Sequence, residues 1–220
     1  MKKNLFVTTI FILLISFVSA QTSRFGFSVG LTMANMQDKN VDEKVHGDFK
    51  FGPTFGILLD VPMERNGSFQ VGLNFVQKGT KDLITTGIFT TTTTNSLSYL
   101  EMPLNVLFKI RSGNGNFRIG GGPAAGLSLS GKSTSVTNNV TTEKTLKFGT
   151  NTTDDLKGVD IGLNAIGGYE FDSGFFITLN YTHGISTLLN NAGEHALFNR
   201  YFGLRAGWLL KGKMKAKAKK

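Results

Sequence analysis

From Arg24 onward the chain alternates apolar and polar positions with a period of two, and after Gln21 it sustains no 3.6-residue helical repeat. Between Arg24 and Ala34, Phe25, Phe27, Val29, Leu31 and Met33 share one face, opposite Gly26, Ser28, Gly30 and Thr32. Ser68 to Lys78 sets Phe69, Val71, Leu73 and Phe75 against Gln70, Gly72 and Asn74. Ser98 to Ile110 sets Leu100, Met102, Leu104, Val106, Phe108 and Ile110 against Tyr99, Glu101, Asn105 and Lys109. Residues 50–61, 117–130, 158–171, 175–186 and 200–210 follow the same rule, so the pattern predicts eight strands, each with one apolar face.

The connections between these strands alternate in length. Pro62 to Gly67, Arg111 to Gly115 and Asp172 to Gly174 are of hairpin size, whereas 79–96 and 131–156 are the longest of the four remaining connections and are rich in Thr, Asn, Ser and Gly. Short turns on one side and long polar loops on the other are the wiring of an outer-membrane barrel, with periplasmic turns and extracellular loops. The expected fold is therefore all-β: an eight-stranded antiparallel up-and-down transmembrane β-barrel. The Thr90–Thr94 run and Ser133 to Thr153 read as solvated, mobile loop.

Facing decides between membrane and soluble barrels. A soluble, lipocalin-like ligand binder would turn its apolar residues inward, but the polar face here is made of Gly, Ser, Thr, Asn and mixed charges, which suit a narrow lumen. The apolar face carries no charge, as lipid contact demands, since a mid-bilayer Lys or Arg there costs ~2–4 kcal/mol. The predicted lumen set is Arg24, Lys50, Asp60, Lys78, Glu101, Lys109, Arg118, Asp160, Glu170 and Arg205, paired in a network with Glu101, Arg118, Asp160 and Arg205 near its middle. Such a lumen is expected to be filled by side chains and not to conduct, the alternative being a narrow channel. Phe49, Phe51, Tyr99, Phe117, Tyr169, Phe171, Phe175, Tyr181, Tyr201 and Trp208 are expected to contribute to interfacial aromatic girdles.

Both ends of the chain differ from this body. Residues 1–20 combine Lys2 and Lys3, an apolar run from Leu5 to Val18 and a small-residue end at Ser19-Ala20, the form of a secretory signal peptide cleaved before Gln21. Residues 211–220 hold six lysines and read as a solvated basic tail, leaving 21–210 for the barrel. The formal charge of +9 arises there: without the eight terminal lysines, 16 basic residues face 15 acidic ones, so no nucleic-acid-binding field exists. No cysteine is present, which excludes disulfides and thiolate chemistry.

Several segments together resemble the PorT-like outer-membrane β-barrel proteins, often labelled "porin family". They are Gly26-Phe-Ser-Val-Gly-Leu-Thr, Phe51-Gly-Pro-Thr-Phe-Gly-Ile, Val71-Gly-Leu-Asn-Phe-Val-Gln-Lys-Gly79, Tyr99-Leu-Glu-Met-Pro-Leu104 and Gly120-Gly-Gly-Pro-Ala-Ala-Gly126. The Tyr-Leu-Glu-x-Pro element is the most specific of them. The resemblance spans nearly all of 24–210 and implies a small Gram-negative outer-membrane barrel. One lineage of that family is implicated in protein secretion, which makes an accessory role in transport or secretion a second alternative. Outer-membrane barrels commonly end on an aromatic residue, whereas here Trp208-Leu-Leu is followed by the basic tail.

Candidate chemistry is sparse. A lipid-modifying enzyme would need a nucleophile and base beside the bilayer, and His183 with Ser186, or Glu194 with His195, are the nearest candidates. Glu194, His195 and His183 match no recognised metal-ligand spacing, so neither metal nor cofactor is expected. The expectation is a monomeric, non-enzymatic protein with a structural or loop-binding role. Its partners would be outer-membrane lipids, the assembly machinery and an extracellular ligand that the sequence does not name.

Overall fold

The structure, a computed structural model, describes residues 23–38, 48–86, 89–151, 153–190 and 196–210. The proposed signal peptide, 1–20, and the basic tail, 211–220, lie outside the described residues, as do His46, Glu194 and His195. Among the described residues nine strands follow one another: β1 (Arg24–Asp38), β2 (Lys50–Pro62), β3 (Gly67–Thr86), β4 (Phe89–Ser112), β5 (Gly115–Thr137), β6 (Val140–Thr145), β7 (Val159–Phe171), β8 (Phe175–Gly184) and β9 (Leu197–Leu209). Eight of them form an antiparallel ring in the order β4-β3-β2-β1-β9-β8-β7-β5, which closes through β5 and β4. Closure leaves no edge within the ring, so every spanning strand finds backbone partners on both sides, as lipid requires. β6 stands outside the ring and, among the described residues, pairs with β5 alone.

The facing agrees with the alternation. Phe27, Val29, Leu31, Phe55, Ile119, Leu163 and Leu204 point outward and are exposed, whereas Ser28, Thr32, Thr54, Asn105, Asn164 and Thr178 on the opposite face are buried. Apolar side chains thus form the outer belt, the reverse of a soluble ligand-binding barrel. Turn-end aromatics make one branch of a girdle: Phe117 meets Tyr169 at 5.0 Å, Tyr169 meets Phe171 at 4.9 Å, Phe171 meets Phe175 at 5.8 Å, and Phe175 meets Trp208 at 5.7 Å. Tyr99 and Tyr201 do not join it. Both lie on the inward parity of their strands and are 0% and 1% exposed, because their hydroxyls have lumen partners.

The long connections depart furthest from expectation. Segment 79–96, expected as a long loop, is largely strand: β3 and β4 continue their ladder from Gly79↔Ser96 to Thr86↔Phe89. Thr91 to Thr94 of β4 pair in turn with Thr134 to Thr137 of β5, and β5 pairs with β6. Four strands therefore stand beyond the ring as an open sheet. Threonine is β-branched and suits extended backbone, and cross-strand hydroxyls link the strands: Thr91 to Thr137 at 2.7 Å and Thr93 to Ser135 at 3.1 Å.

Two local devices make this extension possible. Gly79 has φ +145, and a Cβ there would sit 1.9 Å from the Asn95 carbonyl oxygen, so the strand leaves the ring through a position only glycine fills. A bulge changes the β4–β5 register from Ser98↔Ser130 to Tyr99↔Ser128, and Leu129 is the extra residue. Inward parity on β5 therefore switches from Arg118, Ala124 and Gly126 below it to Gly131, Ser133 and Ser135 above it. The β5–β6 hairpin turns at Asn138 and Asn139, with φ of 50° and 64°, the two positive values a two-residue type I′ turn requires.

Candidate functional site: the lumen and the loop-end sheet

The lumen side chains gather in two separate clusters, not one central network. At the turn end, Arg24 (β1), Asp60 (β2), Lys109 (β4), Arg118 (β5) and Glu170 (β7) meet. The Arg24 Nη2 lies 2.6 Å from Asp60 Oδ2 and 3.1 Å from Glu170 Oε2, and its Nη1 also donates to Glu170. Lys109 Nζ donates to Asp60 Oδ2 at 2.8 Å. Arg118 stands 3.6 Å from Asp60 Oδ1 and 3.5 Å from Glu170 Oε2, and its guanidinium stacks near the Phe176 ring at 5.6 Å. Register explains the meeting: Arg24 pairs with Asp60, Lys109 with Arg118, and Glu170 lies one inward position along from Gly168, the partner of Arg118. Leu58, Phe176 and Leu209 form an apolar layer beside this cluster.

The second cluster lies toward the loop end. Lys78 (β3) has its ammonium 2.6 Å from Glu101 Oε2 (β4) and 2.9 Å from Asp160 Oδ2 (β7). Tyr201 donates to Glu101, and Asn199 Nδ2 donates to Asp160 Oδ2 at 2.9 Å. The Tyr99 and Tyr201 rings flank the ammonium at 4.9 and 5.1 Å, within the range of cation–π attraction. The turn-end cluster thus holds three cations and two anions, and the loop-end cluster one cation and two anions. Arg118 belongs to the former, and Glu101 and Asp160 to the latter. Arg205 joins neither: among the described residues it makes no ion pair, and it lines a cavity of about 30 Å³ between them, room for one or two waters. Lys50 sits at the rim, bonded to Gln77 Oε1 at 3.1 Å.

Between the clusters runs a belt of amides and hydroxyls. Asn164 Nδ2 donates to Asn105 Oδ1 at 2.8 Å, while its own oxygen accepts from Thr182 at 3.0 Å and Asn180 at 3.4 Å. The alternation had put these residues on the inner face without marking them as a network. Apart from Tyr99, the apolar residues that close the loop end were missed. Met36, Leu97, Tyr99, Leu156 and Leu188 form a buried cluster across the loop end of the lumen, with Leu146, Phe148, Leu189 and Leu197 packed on it. Isolated leucines and a phenylalanine in otherwise polar loops were the signal. Backbone bonds from Lys157 to Leu188 at 2.7 Å and from Leu188 to Leu197 at 2.8 Å hold the two loops together.

Of the catalytic candidates, His183 and Ser186 lie among the described residues, each with a partner of its own. Ser186 Oγ accepts from the Ile161 amide at 2.8 Å, and His183 Nδ1 pairs with the Tyr181 hydroxyl at 3.1 Å on the outer surface. Glu194 and His195 fall outside the described residues. Outside the lumen, the Asp155 carboxyl is held below the ordinary carboxylate range, first by the Lys144 ammonium at 2.6 Å and then by the Lys147 amide at 2.9 Å.

Comparison with known proteins gives the frame for this geometry. The family model described as outer membrane protein beta-barrel domain matches residues 19–190. Among solved structures the chain is similar to Ail, the attachment invasion locus protein of Yersinia pestis, at 13% identity and a TM-score of 0.43, covering 86% of this chain and 99% of that one. A second Ail structure, in complex with the heparin analogue sucrose octasulfate, has 13% identity, a TM-score of 0.40 and the same coverage. Neisserial surface protein A is similar at 11% identity and a TM-score of 0.40, over 85% of this chain and 96% of that one. No curated protein matches. By the match over 19–190, this outer-membrane chain belongs to the outer membrane protein beta-barrel domain family.

Proposed function

We propose that the chain is a non-enzymatic surface binder: a barrel closed to ions that carries a β-sheet platform on its extracellular side. A periplasmic position for the opposite end is supported by its short turns, following the usual asymmetry of such barrels. Closure is supported by the two charged clusters, the amide belt and the apolar cluster over the loop end. The Tyr99-Leu-Glu-Met-Pro-Leu104 element supports the narrower placement among PorT-like proteins, with Tyr99, Glu101 and Pro103 all on the inner face.

The observation that carries the binding role is the free edge of β6. All six of its residues are exposed, and among the described residues it pairs on one side only. Thr137 and Val140 flank the two-residue turn and exchange hydrogen bonds, so the backbone groups of Thr141, Glu143 and Thr145 point away from β5. The two charges that would discourage edge pairing are engaged elsewhere: Glu143 with Lys132 at 2.6 Å, and Lys144 with Asp155 at 2.6 Å. An extended peptide can add to such an edge through main-chain bonds.

The test uses a displayed peptide library selected on the barrel in liposomes. Thr141→Pro removes one outward donor and leaves the β5 ladder intact, since proline is tolerated on an edge. Binders selected on the wild type should be rich in β-formers and lose affinity for Thr141→Pro. Failure to obtain any binder that distinguishes the two proteins refutes the platform, and measurable conductance in planar bilayers refutes closure.

A further inference from the structure

We infer that Lys78 and Asp160 react with one another, with Glu101 as the proton shuttle, to form an intramolecular amide bond across the lumen. The three side chains come from β3, β7 and β4 and are between 2% and 3% exposed. Lys78 Nζ is 2.9 Å from Asp160 Oδ2, in reach of the carbon that bears it, and 2.6 Å from Glu101 Oε2. Reacting groups held at about 3–3.5 Å in a dry site gain most of the advantage of an intramolecular reaction.

The surroundings fit a condensation better than a simple ion pair. One ammonium needs one carboxylate, but here it has two, and they play unequal parts. Among the described residues Asp160 Oδ1 accepts no hydrogen bond, while its Oδ2 takes both Lys78 and Asn199. The Asn199 amide is thus placed to polarise the carbonyl that is attacked and to stabilise the oxyanion that forms. Tyr201 fixes Glu101 through the oxygen that does not face Lys78. Gly126 lies between the two acids in register, paired with Glu101 on one side and Asp160 on the other. A Cβ there would stand 3.3 Å from the Tyr99 ring and 3.8 Å from Asp160 Cβ, so a side chain would crowd the wall between the two acids.

The reaction balances without any other reactant. Glu101 carries one proton from the Lys78 ammonium to the Asp160 carboxylate, and the freed electron pair of the amine forms a bond from Nζ to the carbon of the now neutral carboxyl, whose C=O π pair moves onto oxygen. The protonated carboxyl oxygen then departs, taking a second proton from the nitrogen by way of Glu101, and leaves as water as the C=O re-forms. One positive and one negative charge vanish into a neutral amide, and Glu101 ends as it began. Removing two buried charges also relieves the cost of keeping them from solvent.

Intact mass spectrometry of the full chain, extracted from outer membranes, tests this. The wild type should weigh one water less than its processed sequence, and a digest should contain a branched peptide joining residues 78 and 160. Glu101→Gln, close in shape, should carry the full mass, as should Lys78→Arg. A wild type at full mass, or a lost water that maps elsewhere, overturns the amide bond and leaves an ion pair. A cross-linked Glu101→Gln overturns the shuttle. Because the readout is the wild type itself, a variant that fails to fold does not blunt the test.

Discussion

Asp60 offers the sharpest test of what holds the barrel together. It is fully buried and accepts from Arg24 at 2.6 Å and Lys109 at 2.8 Å, with Arg118 at 3.6 Å. Asp60→Asn keeps the shape but leaves three cations facing Glu170 alone. At an effective dielectric constant of about 20, each of the two short pairs is worth about 6 kcal/mol of direct attraction. Desolvation and mutual repulsion among the cations offset most of this, and loss of one partner from a buried pair nets ~3–5 kcal/mol. The comparison variant is Asp172→Asn, whose partner Arg111 is equally close, at 2.5 and 2.8 Å, but whose side chain is 52% exposed. That pair should be worth no more than ~1 kcal/mol. Urea unfolding in lipid vesicles, read from the mobility of unheated bands, measures both. Adding Lys109→Met to Asp60→Asn should restore part of the loss, because it removes one of the stranded charges. If Asp60→Asn costs no more than Asp172→Asn, the lumen is wetter than its packing indicates and the argument from burial fails.

Two further outcomes follow from facing and from charge. Leu31→Lys puts a charge on an outward side chain that is 60% exposed to lipid, and should lose ~2–4 kcal/mol and block assembly, whereas Thr141→Lys beyond the ring should assemble normally. Fractionation with heat-modifiability reads both, and equal behaviour would sink the facing argument. The Asp155 carboxyl, depressed by Lys144 and the Lys147 amide, adds stability above the ordinary carboxylate value of about 3.9 and loses it as pH falls through its lower folded value. Hydrogen exchange at the Lys147 amide, corrected for intrinsic rate, should therefore accelerate as the pH is taken below the ordinary carboxylate value. An unchanged rate would show that the bond to Asp155 does not hold this segment.

The ring was legible because each spanning strand meets lipid on one side and lumen on the other, which writes a period of two into the sequence. Arg24, Lys78, Glu101, Lys109, Arg118, Asp160 and Glu170 could be assigned inward from parity alone. Their division into two clusters could not, since it depends on stagger between strands that are distant in sequence, such as β3 and β7. The extended sheet escaped notice for another reason. Thr90 to Thr94 are polar on both faces and Ser133 to Thr137 carry a single apolar residue, Val136, so no alternation marks them, and they are held by hydroxyl pairs and backbone ladder. The bulge at Leu129 hides the register further, for it exchanges inner and outer parity in mid-strand. Tyr99 and Tyr201 were drawn to the girdle by residue type, although their strand positions already pointed inward.

The unequal heights of the strands make the molecule directional within the plane of the membrane. β3, β4 and β5 run to 20, 24 and 23 residues, while β7 and β8 have 13 and 10. The eight residues from Gly79 to Thr86 add about 27 Å of extended chain on one side. A neighbouring protein can crowd against the low β7–β8 side up to the rim, but on the tall side it meets a wall first. In a densely packed bilayer, contacts would select rotational orientations of the barrel, so that clustering or confinement changes which way the wall faces without any change in its fold.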